Sequence, residues 1–408
     1  MSTRVESRPR PGPTRLDSPA VPMVVATAAA TTFVTLRWLD AAHRMLGRFV
    51  LAGSLYSHRG RTPKGLPIGA GSGYDGQFYY RLALDPFNLA RTSFGIQLDT
   101  LSRVERMAYP FLAWVISQGH SADVPLALVL VNVFAAGMLG LAGGLLARSA
   151  GRHALWGLVF VGYWGYLWTL GRDLTELTTA ALVIFGLAAL LRNAPFWAGL
   201  AFLGAIVSKE TAVLLAATLA AATAWARWTG RGRLVLPLNA PVGRATRSAL
   251  LRRSDLAFVV PLAGFVAWQL VLFWATGRLP IYKSGGENLG LPFVGFVHGL
   301  AHYLAALPSI AAGLWFGELA LLIVLAVVAA RSLPHVPVEL RILWAVSALL
   351  AVFTATGIWL GDVGFRSLDD VYLLSWVVLL LAPVRLTPAA MLCGAAWGAV
   401  AAELVHFI

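Results

Sequence analysis

Three short stretches carry residue types able to do acid–base or anion-binding chemistry. In "GSGYDGQFYYR", residues 71–81, one carboxylate, Asp75, stands between Gly73 and Gly76 and beside Tyr74, Gln77, Phe78, Tyr79 and Tyr80. Flanking glycines permit unusual backbone angles and the close approach of a ligand, and the aromatic group offers stacking faces and hydrogen-bonding groups of the kind a sugar needs. The same residues also read as a polar turn that tyrosines anchor at a membrane interface. In "GRDLTEL", residues 171–177, Asp173 and Glu176 lie three apart at the start of an expected helix, so they share a face with Arg172 beside them. That spacing is equally that of a capping box, and acids there favour the helix dipole. In "VSKETA", residues 207–212, Lys209 and Glu210 sit between two apolar halves, as a phosphate contact with its partner or as a solvated turn.

Two weaker signals accompany these. Arg103 and Arg106 in "LSRVERMAYP" are three apart and project from one face of an expected interfacial helix, either toward a specific lipid phosphate or into bulk headgroups by snorkelling. His298 and His302 have the spacing of a metal pair, but the glutamate of HExxH and a third ligand are missing, so neither a metal nor any other cofactor is expected.

The elements that position these residues follow from composition. Of 408 residues, 58% are hydrophobic and 12% charged, about half the charged share of a soluble domain. The apolar runs are continuous and not alternating, so helices and not a barrel do the spanning. The expected fold is an all-α polytopic membrane protein with about eleven spans, near 21–37, 124–147, 154–170, 174–191, 195–208, 211–226, 256–276, 311–330, 342–360, 370–383 and 388–407. The run 195–226 is taken as two short helices with a turn at Ser208–Glu210, since one helix of that length would be ~48 Å long, too long for a bilayer. Met107–Ser117 and Phe293–Ala306 are too short to cross and suit the interface. Residues 1–20 form a tail with no cleavable leader, and 39–123 a long first outer loop, structured because it is rich in aromatics and leucines.

The formal charge of +13 raises the question of nucleic acid, but membrane orientation accounts for it more simply. With a cytoplasmic N-terminus, the cytoplasmic segments hold 17 of the 32 Lys and Arg but 4 of the 19 Asp and Glu. Asp75, Asp173, Glu176, Lys209, Glu210, Lys283, Glu287, Asp362, Arg366, Asp369 and Asp370 then gather near the outer ends of spans, where ionisable groups usually line a cavity or route. Cys393 is the only cysteine, which excludes an internal disulfide. An excess of arginine over lysine, with abundant alanine and glycine, suggests a GC-rich bacterial genome.

The order "YDGQFYYRLALDP", "RVERMAYP", "GRDLTEL", "VSKETA" resembles bacterial membrane proteins of the GT-C glycosyltransferase superfamily, over residues 20–276 or so. The resemblance implies a GT-C-like module over 21–276, a variable C-terminal transmembrane region over 277–408, and an active site facing outward from the plasma membrane. It implies a polyprenyl-phosphate-linked sugar as donor and an acceptor glycan, lipid or protein within the cell envelope. Asp75 matches the catalytic carboxylate, and Asp173 or Glu176 the second acidic site. With this reading Arg103, Arg106, Arg172 and Lys209 would hold the donor phosphate, and Tyr74, Gln77, Tyr79, Asp173, Glu176 and Glu210 would position sugar or acceptor. No DxD pair is present, which speaks against divalent-metal chemistry. No GxGxxG or Walker sequence is present either, as suits a donor drawn from the bilayer. The rival class is a transporter or flippase of a lipid-linked sugar, against which stand the lack of an internal repeat and the concentration of polar residues on one face.

Overall fold

A computed structural model describes residues 15–230, 253–281, 288–360 and 365–406. Lys283, Glu287, Asp362 and most of the arginine-rich stretch before 253 fall outside these residues. The described chain is helical, with sixteen α-helices. The first ten are α1 (Ala20–Leu39), α2 (Gly76–Leu84), α3 (Ala108–Ser117), α4 (Val124–Ser149), α5 (Leu158–Val161), α6 (Gly165–Arg172), α7 (Glu176–Leu191), α8 (Pro195–Ser208), α9 (Ala212–Trp228) and α10 (Leu256–Thr276). Then come α11 (Val294–Ala305), α12 (Ile310–Ser332), α13 (Val338–Val352), α14 (Thr356–Leu360), α15 (Asp369–Leu381) and α16 (Thr387–His406).

Five helices are long and apolar enough to cross a membrane: Ala20–Leu39, Val124–Ser149, Arg253–Thr276, Ile310–His335 and Thr387–His406. This makes the chain a membrane-embedded helical protein, since continuous apolar helices of this length match a bilayer's hydrocarbon core. The 195–226 run is indeed two helices, α8 and α9, separated by a turn at Lys209–Thr211. The long first loop is structured, as its composition required. It carries α2, α3, a parallel pair Ala52–Gly53 with Ile68–Gly69, and an antiparallel pair Thr92–Ser93 with Ile96–Gln97.

Two expected spans are broken. The run 154–170 is a 3-10 turn at Ala154–Gly157, the single turn α5, and α6 after a break at 162–164. Tyr163 and Trp164 sit in that break and pack with Tyr166 and Tyr372 of α15, and the Tyr163 hydroxyl donates to the Phe365 carbonyl. Buried aromatic packing of this kind outweighs the local preference for one continuous helix. The run 342–360 is likewise divided into α13 and α14 at 353–355, where the freed backbone bonds to another segment: Gly290 N–H donates to Phe353 O at 2.7 Å and Ala355 N–H to Asn288 O at 3.0 Å. A break inside protein is tolerated where its polar groups find such partners.

The central helix is α4, which packs against α1 and α7; α7 packs on α8, and α8 on α10. At one end of this bundle the N-terminal flank of α2, the 3-10 turn Leu101–Glu105, the start of α7, the α8–α9 turn and the start of α15 converge on a cavity.

Candidate functional site

The cavity has a volume of about 340 Å³. Asp75, Arg103, Arg106, Glu176 and Lys209, all singled out in the sequence, line its polar wall. Arg366 and Asp370 complete that wall, and Thr211 stands beside them. Below it the lining is apolar, with Leu214 and Leu215 of α9, Leu343, Val346 and Leu350 of α13, and Leu374 of α15. From Leu343 to Leu350 the helix rises seven steps, about 10 Å at 1.5 Å per residue. Asn288, Leu289 and Thr354, from the broken helix and the segment bridged to it, form a third side.

Asp75 is the N-terminal flank of α2, yet its side chain makes no capping bond. It points away, toward Arg103 at 2.8 Å and Arg366 at 3.4 Å. Arg103 is also held by Asp99, through Nε–Oδ1 at 3.0 Å and Nη2–Oδ2 at 2.8 Å, and Arg366 by Glu176 at 3.0 Å. Burial would push the Asp75 pKa up, but the positive charges of Arg103, Arg366 and Arg106 outweigh it and hold the carboxyl at about 2. The plain polar-turn account of Asp75 does not describe a group with two guanidinium partners from distant parts of the chain.

Arg106 forms a fork-to-fork pair with Glu210, both bonds 2.7 Å, and donates to the Tyr79 hydroxyl at 3.3 Å. That hydroxyl is one link of a chain running into the bundle. Tyr79 packs edge-on to Tyr109, whose hydroxyl accepts from Asn132 of α4 at 2.9 Å. From the other side α10 grips the 3-10 turn Leu101–Glu105: Trp268 Nε1 donates to Glu105 O at 3.2 Å, and Gln269 Nε2 to Glu105 Oε1 at 2.6 Å. Arg106 is thus tied to α4 through Tyr79 and Tyr109, and the turn that carries Arg103 to α10 through Glu105. Lys209 reaches Asp369 at 3.4 Å.

Six of the residues expected in the site stand off the cavity wall, each for a visible reason. The side chain of Gln77 is fully committed inside its own loop: Oε1 accepts from Gly53 N–H and Ser57 Oγ, and Nε2 donates to Ser72 O and Tyr74 O. It shapes the loop and has no group left for a sugar. Tyr79 and Glu210 serve Arg106. Tyr74 stacks between Arg172, 4.5 Å from its ring, and Arg366, 5.2 Å, while Arg172 also lies 4.3 Å over Trp168. Arg172 is therefore a stacking partner and not part of the cationic wall.

Asp173 and Glu176 do not share a helix face, contrary to the reading of "GRDLTEL". Asp173 ends α6 in the left-handed region at φ 53°, Thr175 flanks α7, and Glu176 is its first residue. The chain turns sharply between the two acids, so Glu176 faces the cavity, accepting from Arg366 and, at 3.4 Å, from Thr169 Oγ1. Asp173 is buried away from the cavity, on the side where Arg37 lies.

The glycines beside Asp75 serve backbone, not ligand. Gly73 has φ 64° and lies against Gly53 and Leu51. A Cβ at Gly76 would come within 2.6 Å of Arg172 O and 2.8 Å of Val50 O. Gly76→Ala should therefore drive α2 off its seat, costing about 1–3 kcal/mol as overpacking does. Thermal unfolding of the purified protein in detergent tests this against Gly69→Ala, where the nearest atom would be 3.7 Å away and little change is expected.

Arg366, Asp369 and Asp370 belong to the site although they lie outside the stretches quoted for it. The signal was the one that marked "VSKETA": three charges within five residues between apolar segments. Among the described residues no cluster of three His, Cys, Asp or Glu could hold a metal, and His298 contacts Thr356 instead.

No family model, curated protein or solved structure matches this chain.

Proposed function

We propose that this protein is a glycosyltransferase of GT-C type, with about eleven spans, a cytoplasmic N-terminus and its cavity on the outer face of a bacterial plasma membrane. It moves a sugar from a polyprenyl phosphate to an acceptor hydroxyl. The observation that carries this reading is the two-part lining of the cavity: paired cations and carboxylates on one wall, and about 10 Å of apolar helix surface on the next. A lipid phosphate has both kinds of surface and fits both.

In this reading the acceptor oxygen attacks the anomeric carbon, Asp75 takes its proton, and the bond to the lipid phosphate breaks on the opposite side, inverting the centre. Arg103, Arg106, Lys209 and Arg366 face the phosphate and stabilise it as it leaves. Each is already paired with a carboxylate, so the phosphate must win a share of these partners. Arg366 and Arg103, each spread over two carboxylates, are the ones best placed to be shared.

The rival, a transporter of a lipid-linked sugar, would use the same cavity without consuming its ligand. Incubating membranes that overproduce the protein with radiolabelled sugars on a panel of polyprenyl phosphates separates the two. Release of free polyprenyl phosphate together with label on a new acceptor supports the enzyme. Label that crosses reconstituted vesicles with the donor intact, at the same rate in Asp75→Asn, would replace it with the transporter.

A further inference from the structure

A second cavity, of about 760 Å³, lies on the other side of the turn that carries Arg103. Thr100 and Leu101 line it, whereas Ser102 and Arg103 line the first cavity, so one 3-10 turn is the wall between the two. Asp99 lines the second cavity and grips Arg103, which grips Asp75 in the first. The opposite wall comes from the end of α10, with Phe273, Ala275 and Leu279. Beside it Trp274 is 86% exposed, the kind of tryptophan that sits at a membrane–water boundary. Arg91 and Arg278 stand on the same lining. The loop bearing Arg91 is held in place by the buried Arg81, which donates to the carbonyls of Asn88 and Ala90.

A mostly apolar hollow at the end of the apolar helix α10, with two arginines and with Asp99 already paired to Arg103, is complementary to an anionic lipid. We propose that this cavity holds the second substrate, and that the acceptor is an anionic lipid whose headgroup carries a hydroxyl. This rests on the transferase reading above. The headgroup hydroxyl forms the new bond to the anomeric carbon, its proton passes to Asp75, and the donor phosphate leaves with the electron pair of the broken carbon–oxygen bond. Arg103, bridging Asp99 of this cavity and Asp75 of the first, stands between the acceptor and the base. Pairing with the donor phosphate draws it aside, so that the acceptor reaches Asp75 only once donor is present.

The test uses the full-length protein in nanodiscs with photoactivatable phosphatidylglycerol or phosphatidylcholine of identical chains. The anionic probe should label residues 89–91 and 273–280 at least about fivefold more than the zwitterionic one, the effect of roughly one arginine near a lipid surface. Arg91→Ala with Arg278→Ala should bring the two probes to parity. Arg59→Ala with Arg61→Ala removes the same charge from exposed positions of the same loop and should leave the preference intact. Equal labelling by both probes, or equal loss in the control pair, overturns the site as mere headgroup attraction. Displacement of the probe by millimolar glycerol phosphate overturns the lipid in favour of a small phosphate. With donor added, the sugar's mass on the anionic lipid supports the acceptor role. Sugar on some other acceptor overturns that role but keeps the transferase, and no donor consumption at all removes both while leaving the labelling to stand as a lipid site.

Discussion

In the proposed transfer reaction, Asp75→Asn is expected to lower the rate by about 10²–10⁴-fold, the usual worth of a positioned general base. The substitution keeps the size of the side chain and removes its ability to take a proton. It should also fold, because both arginines that lose a partner keep another: Arg103 retains Asp99 and Arg366 retains Glu176. The measurement is single-turnover transfer beside thermal unfolding of the same preparation. Wild-type rates with an unchanged melting point would remove Asp75 from the chemistry. Its pH behaviour adds a second test. The folded carboxyl is held near 2, below the ordinary value, so its contribution to stability is complete above about pH 4 and is lost as the pH falls toward 2. Before any donor binds, Asp75 is thus ionised at all working pH values, and the proposed transfer should show no acid limb from it in kcat/KM. Once a donor phosphate shares Arg103 and Arg366, the carboxyl loses part of that support, and an acid limb is expected to rise in kcat alone.

Glu210→Gln should be the most destabilising change in the site. The Arg106–Glu210 pair is bidentate and buried, with side-chain exposures of 10% and 3%. Taking one partner from a buried ion pair leaves an uncompensated charge and costs about 3–5 kcal/mol. The double variant Arg106→Met, Glu210→Leu removes both charges and is expected to recover most of that loss in thermal unfolding while failing in transfer. If the single variant melts with the wild type, the pair contributes nothing to the fold, and Arg106 is free to turn toward a ligand.

Helix positions were largely legible in the sequence, because long apolar runs leave few alternatives. The two broken runs were not, since what breaks them is distant: Tyr163 finds its partner 202 residues away at Phe365, and the α13–α14 break bonds to the segment around Asn288. The site shows the same division. Asp75, Arg103, Arg106, Glu176 and Lys209 stood out as charges in an apolar chain, and all of them line the cavity. Arg366 meets Asp75 across 291 residues, a contact that no local spacing records. Gln77 and Arg172 looked like ligand groups because residue type says what a side chain can bond to, not what it has already bonded to. In Gln77 every amide atom is satisfied within the loop, and the Arg172 guanidinium is taken up by the rings of Tyr74 and Trp168, 4.5 Å and 4.3 Å away. The shared face expected for Asp173 and Glu176 depended on an unbroken helix, and the left-handed Asp173 ends one helix before the next begins.

The apolar wall beneath the charged ring has a kinetic corollary. A ligand whose tail rests on Leu214, Leu343 and Leu374 while its phosphate meets the arginines is recruited by diffusion within the plane of the membrane. Its saturation then follows mole fraction in the bilayer, not molarity in the assay volume. Adding detergent or inert lipid at fixed amounts of protein and donor should slow the reaction by surface dilution, although nothing in bulk solution has changed.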